Sequence, residues 1–185
     1  MAKKKFKTKL SIDGINNLIA QLEDYEHRIN RKLVILVNRL AEAGISVAKQ
    51  NIKVEDNELW IDRSNLVYFE KDVKSTVDGA TCIVVPFSTP YVTRWKKSAD
   101  SNQILTAEVD PLLMAEFGSG AKAIDGHRGT FPNQKHANQD TWGWYDEYGV
   151  FHWSIGSVPT RPIYKAKEEI LQQINNIATE VFSTL

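Results

Sequence analysis

A single cysteine, Cys82, excludes an intramolecular disulfide and with it the small stapled scaffolds. It stands in the apolar run Cys82-Ile83-Val84-Val85, which reads as an inert buried thiol. No apolar stretch approaches the roughly 18 residues of a membrane helix, so no span is expected. The start, MAKKKFKTKL, is basic without a following apolar run, so a secretory signal is not expected and synthesis in a cytoplasm follows. Formal net charge is zero, which argues against a dedicated nucleic-acid binder. The distribution is uneven, because Lys3, Lys4, Lys5, Lys7 and Lys9 place five positive charges in the first residues and leave the rest of the chain at minus five. Residues 1–10 therefore read as a flexible basic arm, with contact to DNA or to an acidic partner as the alternative. No internal repeat or low-complexity tract is present. What remains, residues 11–185, carries enough apolar content for one globular domain.

Ser11-Ile12-Asp13-Gly14 ahead of Ile15, Leu18, Ile19 and Leu22 predicts a short capped helix. A second, longer helix is expected from Glu26 to near Asn51, on the stripe Ile29, Leu33, Leu36, Val37, Leu40, Gly44, Val47 and Ala48. The period then changes. Leu66 to Phe87 is rich in β-branched and aromatic residues around Val77-Asp78-Gly79, which predicts a hairpin or meander, with Pro86 and Pro90 marking its end and Ser98 to Asn102 an exposed loop. Asp110-Pro111 opens a short helix over Leu112 to Glu116, stopped by Phe117-Gly118-Ser119-Gly120. Residues 118–141 read as a long loop, and loops of about twenty residues in compact domains are uncommon unless functional or disordered.

Three tryptophans, two tyrosines and a phenylalanine then fall between Trp142 and Trp153. With Asp146-Glu147-Tyr148-Gly149 as a four-residue turn, residues 142–155 form a hairpin in which Tyr145 faces Val150, Trp144 faces Phe151 and Trp142 faces Trp153. Trp142, Trp144, Phe151, Trp153 and Ile155 then share one face. Each large aromatic buried is worth roughly 4 to 6 kcal/mol, so that face is expected to be covered. Pro162 next pre-sets the first turn of a last amphipathic helix on Ile163, Ala166, Ile170, Ile174, Ile177 and Val181, and is expected to hold Arg161 extended. Together these elements predict an α+β fold: a long N-terminal helix and a C-terminal helix packed on a small, mainly antiparallel sheet, with the aromatic hairpin inserted.

No catalytic constellation emerges. His27, His127, His136 and His152 are dispersed; a zinc or magnesium site from His127, His136, Asp125 and Asp140 is the alternative to plain loop residues. Asp146 and Glu147 read as solvated turn residues, and Gly118-Ser119-Gly120 lacks the lysine and threonine of a phosphate loop. Neither a metal nor a cofactor is expected.

The segments SIDGINNLIAQLE, AEFGSG (Ala115 to Gly120) and GWYDEYGVFHWSIGSVPTRPIYKA (Gly143 to Ala166) resemble, in order and spacing, the tail-completion family of long-tailed bacteriophages. Members of that family are minor tail proteins of the head-to-tail connection, with an acidic-Phe-Gly-small-Gly step and a Pro-x-Arg-Pro step before the last helix. The resemblance marks Glu116, Phe117, Gly118, Gly120, Pro159, Arg161 and Pro162, with Trp142, Trp144, Phe151 and Trp153 as interface candidates. It runs from about Ser11 to the end. One departure is that members carry a proline and a Thr-Gly-x-Leu-Arg-like step after the long helix, where this chain has Asn51 to Glu58 followed by Trp60-Ile61-Asp62-Arg63. What the resemblance implies is a structural virion protein without enzymatic activity, made in the host cytoplasm. It would form a homo-oligomeric ring in the neck beside head-closure, tail-terminator and tail-tube proteins. Two other classes stay open: a carbohydrate- or peptide-binding module using a Trp142, Trp144 and Trp153 face, and a metal-dependent hydrolase built on the loop histidines. For Glu116 and Arg161, the charged members of their motifs, two readings stand side by side: a bidentate pair clamping the short helix to the last one, or two independent solvated charges.

Overall fold

The structure, a computed structural model, describes residues 6–7, 11–56, 59–76, 79–126, 128 and 139–183. It is α+β. Helix α1 spans Ile12–Gln50, strands β1 Lys53–Asp56, β2 Leu59–Asp62, β3 Val67–Thr76, β4 Gly79–Ser88, β5 Tyr91–Lys96 and β6 Ile104–Val109. Helix α2 (Pro111–Phe117), strands β7 (Trp142–Tyr145) and β8 (Phe151–Ser154) and helix α3 (Pro162–Phe182) complete the chain. Among the described residues no helix is long and apolar enough to cross a membrane.

The two N-terminal helices expected from the sequence are one continuous helix. Nothing between Leu22 and Glu26 breaks it, since that stretch holds no glycine or proline, and Asp24 pairs with Arg28 one turn on at 3.9 Å. Its apolar seam, Ile12, Ile15, Ile19, Leu22, Ile29, Leu33, Leu36, Leu40, Ala43 and Val47, repeats at steps of three and four with only Glu26 interrupting. The Ser11 hydroxyl accepts from Gly14 N, as a cap should.

Contacts group the chain into two compact units. The first is Met1–Ala43, Lys71–Val84 and Ile170–Leu185. Its core is helix on helix: Leu40, Ile177 and Val181 are buried, with Leu36, Ala43, Ile170 and Phe182 around them. Arg39 meets Glu180 at 2.6 Å, Lys32 Nζ donates to the Val181 carbonyl, and Lys71 of β3 pairs with Glu42 of α1. The second unit is Gly44–Glu70 and Val85–Glu169. Here Ile52, Val67 and Leu112 form the core with Phe69 against them, and β1 lies beside α2.

Among the described residues three sheets are present: the pair β1-β2, the pair β3-β4, and a four-stranded sheet in the order β6-β5-β7-β8. Strands β5 and β6 are antiparallel over their full lengths, whereas β5 meets β7 only at Lys96 opposite Tyr145. Strand β4 continues past Pro86 to Ser88. In a two-stranded ribbon each strand keeps one open edge, so the missing N–H of Pro86 is tolerated and does not end the strand. The middle of the predicted turn, residues 77 and 78, lies outside the described residues, as do residues 127 and 129–138 of the expected long loop. Asp110 caps α2 as predicted, its carboxylate accepting from Leu112 N and Leu113 N.

Candidate interaction surfaces

Two motif segments far apart in sequence close onto each other in the second unit. Ser119 N donates to Ser157 O (2.9 Å), Ala121 N to Ile155 O (3.1 Å), and Thr160 N and Arg161 N both to Ala115 O. Ser157 N donates back to Ser119 Oγ at 2.9 Å, a bond between two buried residues. Such close approach requires residues without a side chain. A Cβ on Gly118 would stand 2.6 Å from Ser157 O, one on Gly120 2.6 Å from the Trp142 ring, and one on Gly156 would overlap the Ser119 carbonyl. These three glycines also have positive φ.

Glu116 does clamp α2 to α3, by chemistry other than the ion pair. Its carboxylate accepts from Ile163 N (2.7 Å) and Tyr164 N (3.2 Å), the free amides in the first turn of α3, and makes no pair with Arg161. A carboxylate from elsewhere in the chain thus serves where the residue before Pro162, an arginine, cannot cap. Arg161 is not extended but left-handed, with φ 55. Donation of both Thr160 N and Arg161 N to one carbonyl turns the chain there, and the guanidinium lies over the Tyr164 ring at 3.7 Å. Its Nε is buried without a hydrogen-bond partner. Pro162 is fully buried and Pro159 abuts Gly118. Thr160 Oγ1 donates to Asn51 O at 2.6 Å, fixing the approach to α3.

The aromatic hairpin forms with a register one residue away from the expected one. Trp142 faces Ser154, Gly143 faces Trp153, Trp144 faces His152 and Tyr145 faces Phe151. Asp146 is the reason. Its carboxylate accepts from Tyr148 N (2.9 Å) and Val150 N (2.8 Å), and Asp146 N donates to Val150 O, so five residues instead of four lie between the last paired positions. The other carboxylate oxygen lies 3.0 Å from His152 Nε2. Those bonds, the His152 contact foremost, hold the Asp146 carboxyl below the usual carboxylate range.

A shift of one position exchanges faces. Trp142, Trp144 and His152 are half-buried on the inner side, where Trp144 stacks on His152 at 5.6 Å and Trp142 covers Gly120. Phe151 and Trp153 point the other way and are 57% and 65% exposed. The single covered face of Trp142, Trp144, Phe151, Trp153 and Ile155 is therefore not formed. Tyr145 and Phe151 meet edge to face at 5.2 Å on the outer side. Register continues that side across the sheet, with Phe151, Tyr145, Lys96 and Ile104 in one row and Arg94 and Val92 further along β5. Val92 and Ile104 are exposed, and neither Arg94 nor Lys96 has a carboxylate partner among the described residues. Sequence reasoning missed this face because β5 and β6 were not expected as strands.

The remaining candidates are scattered. His127 and His136 lie outside the described residues, Asp140 faces Arg128 at 3.3 Å, and no cluster of His, Cys, Asp or Glu able to hold a metal occurs among the described residues. Cys82 is half-buried and its thiol is raised by burial, which keeps it protonated and unreactive. Of the basic arm, Phe6 and Lys7 are described, and Phe6 meets Tyr25 edge-on at 5.8 Å. In the first unit an open groove of about 500 Å³ is lined by His27, Asn30, Arg31, Val34, Ile35 and Ser75, with no carboxylate among its described lining residues to work with the histidine. Set against protein-family models, curated proteins and solved structures, the chain gives no match.

Proposed function

We infer that this chain is a structural subunit of the head-to-tail connection of a long-tailed bacteriophage, a tail-completion protein that acts without catalysis. In the virion neck its copies form a ring between head-closure proteins and the tail terminator and tube. The observation that carries this reading is the use made of the motif residues. Glu116, Gly118, Gly120, Arg161 and Pro162 are engaged in tying α2 to α3, while Phe151, Trp153, Val92 and Ile104 stay exposed. A rigidly tied scaffold with apolar side chains outside is what a subunit of an assembly needs. Particles made without this protein should accumulate as separate filled heads and separate tails. Normal joined virions from such a mutant defeat the reading.

Exposure of Trp153 and Phe151 also favours a second reading, a carbohydrate- or peptide-binding platform, now on those two rings and Tyr145 instead of Trp142 and Trp144. Saturable quenching of tryptophan fluorescence by an added glycan or peptide, lost in Trp153→Ala, is the result that would support it.

A further inference from the structure

Two exposed apolar surfaces of opposite charge occur on this chain. One is the start of α1, where Ile12, Ile15, Ile19 and Leu22 are exposed at steps of three and four along one flank. Residues 12–27 contain Asp13, Glu23, Asp24 and Glu26 and no lysine or arginine. The apolar seam of α1 is covered from Leu36 to Ala43, half-buried at Leu33 and Ile29, and exposed from Leu22 to Ile12. The other surface is the outer sheet face of Val92, Ile104, Tyr145, Phe151 and Trp153 with Arg94 and Lys96, cations that have no carboxylate partner among the described residues. Glu108 is the acid on this face, at its far end opposite Val92.

We propose that copies of this chain join head to tail, the acidic start of α1 of one copy lying on the cationic aromatic sheet face of the next. Charge selects this pairing. Helix against helix would oppose four acids with four, and sheet against sheet would oppose Arg94 and Lys96 with themselves; helix against sheet is attractive. Two different patches per chain make a heterologous contact, which closes into a ring or runs on as a filament, whereas either patch paired with itself stops at a dimer. The proposal rests on the ring reading above and names the surfaces the ring would use. Aromatic side chains beside cations supply the apolar area in which Ile12 to Leu22 can be buried.

The test uses the full chain in two charge-reversed forms, Arg94→Glu with Lys96→Glu, and Asp13→Lys with Glu23→Lys and Glu26→Lys, which turns residues 12–27 from four acids to three lysines and Asp24. The second leaves Asp24 with Arg28. All the reversed side chains are exposed or half-exposed, and circular dichroism checks that both proteins fold. Sedimentation at low salt should show the natural chain self-associating and each reversed form weakened by roughly a hundredfold. An equimolar mixture of the two should recover association, because every helix then meets a sheet of opposite sign. Recovery in the mixture alone is the result no self-pairing interface produces. Reversed forms that associate like the natural chain, or a mixture that stays monomeric, overturn the contact. A natural chain monomeric at millimolar concentration overturns it too, while separated heads and tails in the deletion particles would still stand for the connector role. Removal of residues 1–9 should leave association intact or strengthen it; its abolition would make the lysine arm the occupant of the acidic helix and overturn the sheet.

Discussion

Replacing Gly156 with alanine would put a methyl group into the Ser119 carbonyl, far inside the 3.0 Å that real Cβ atoms keep. The two segments would have to part by about 1 Å or more, since a close-packed interior offers no room elsewhere. Three hydrogen bonds span that approach: Ser119 N to Ser157 O, Ser157 N to Ser119 Oγ, and Ala121 N to Ile155 O, at 2.9, 2.9 and 3.1 Å. Each contributes about 1 kcal/mol net, and alanine at the φ of 102 found here adds about 1 to 2 kcal/mol of backbone strain. The expected loss is about 3 to 6 kcal/mol, a large part of the roughly 5 to 15 kcal/mol by which a domain is stable. Gly126→Ala is the control, because Gly126 also has positive φ, 78, but nothing within 4 Å of a Cβ. It should cost only the strain. Urea unfolding followed by tryptophan fluorescence separates the two, read as a shift in midpoint with unchanged slope. If Gly156→Ala costs no more than Gly126→Ala, the close approach of the motif segments is not what holds α2 and α3 together.

Three further outcomes follow from the same geometry. Glu116→Ala should destabilise by about 1 to 2 kcal/mol through loss of the α3 cap, and a double-mutant cycle with Arg161→Met should show coupling under about 0.5 kcal/mol, since the two side chains do not pair. Strong coupling would restore the ion pair. Because the Asp146 carboxyl sits below its ordinary value of 3.8 in the folded chain, its contribution is complete above that pH and is lost as pH falls through the lower folded value. Acid titration of hairpin tryptophan fluorescence should therefore show a step below about pH 4 that is missing in Asp146→Ala, and an identical step in both would refute the assignment. Trp142→Ala should cost about 2 kcal/mol and Trp153→Ala under about 1 kcal/mol, with Trp153 the tryptophan most open to acrylamide quenching; the reverse order would mean that the expected register is the real one.

How far the fold was legible depended on how local its cause was. Asp110-Pro111 at the start of α2 and Pro162 at the start of α3 act within one helical turn, and both helices lie where those residues place them. The break expected before Glu26 was a reading of polarity alone; Glu23, Asp24 and Glu26 are exposed on a helix that never stops. Strand β1 shows one apolar residue, Val54, in Lys53-Val54-Glu55-Asp56, so no alternation announces it. Strand β5 alternates Tyr91, Thr93 and Trp95 against Val92, Arg94 and Lys96, a pattern in which both faces hold apolar and polar atoms. Partner strands decide such segments, and a single sequence does not display its partners. The motif glycines were visible as a stop to α2, but the segment they approach, 36 to 38 residues away, became visible only through Ser157 and Gly156.

The hairpin turn carries the largest consequence for function. A four-residue turn would have gathered every large aromatic on one side and made that side core. The Asp146 carboxylate, by holding Tyr148 N and Val150 N, puts one more residue in the turn and divides the same cluster: Trp142 inward over Gly120 and Trp144 inward on His152, Phe151 and Trp153 outward on the face that carries Lys96. Burial free energy that composition would assign wholly to the chain's own stability is therefore left partly unrealised within one copy, about 2 to 4 kcal/mol for the 57% and 65% of Phe151 and Trp153 still exposed. That unrealised amount is available to a second surface, and the alternation of β5 places cations in line with it, so a partner with apolar and acidic side chains is favoured over a purely apolar one. If copies join through this face as proposed, slipping the hairpin back by one residue would weaken their association while leaving the composition of the chain unchanged, and assembly would depend on one carboxylate in a turn.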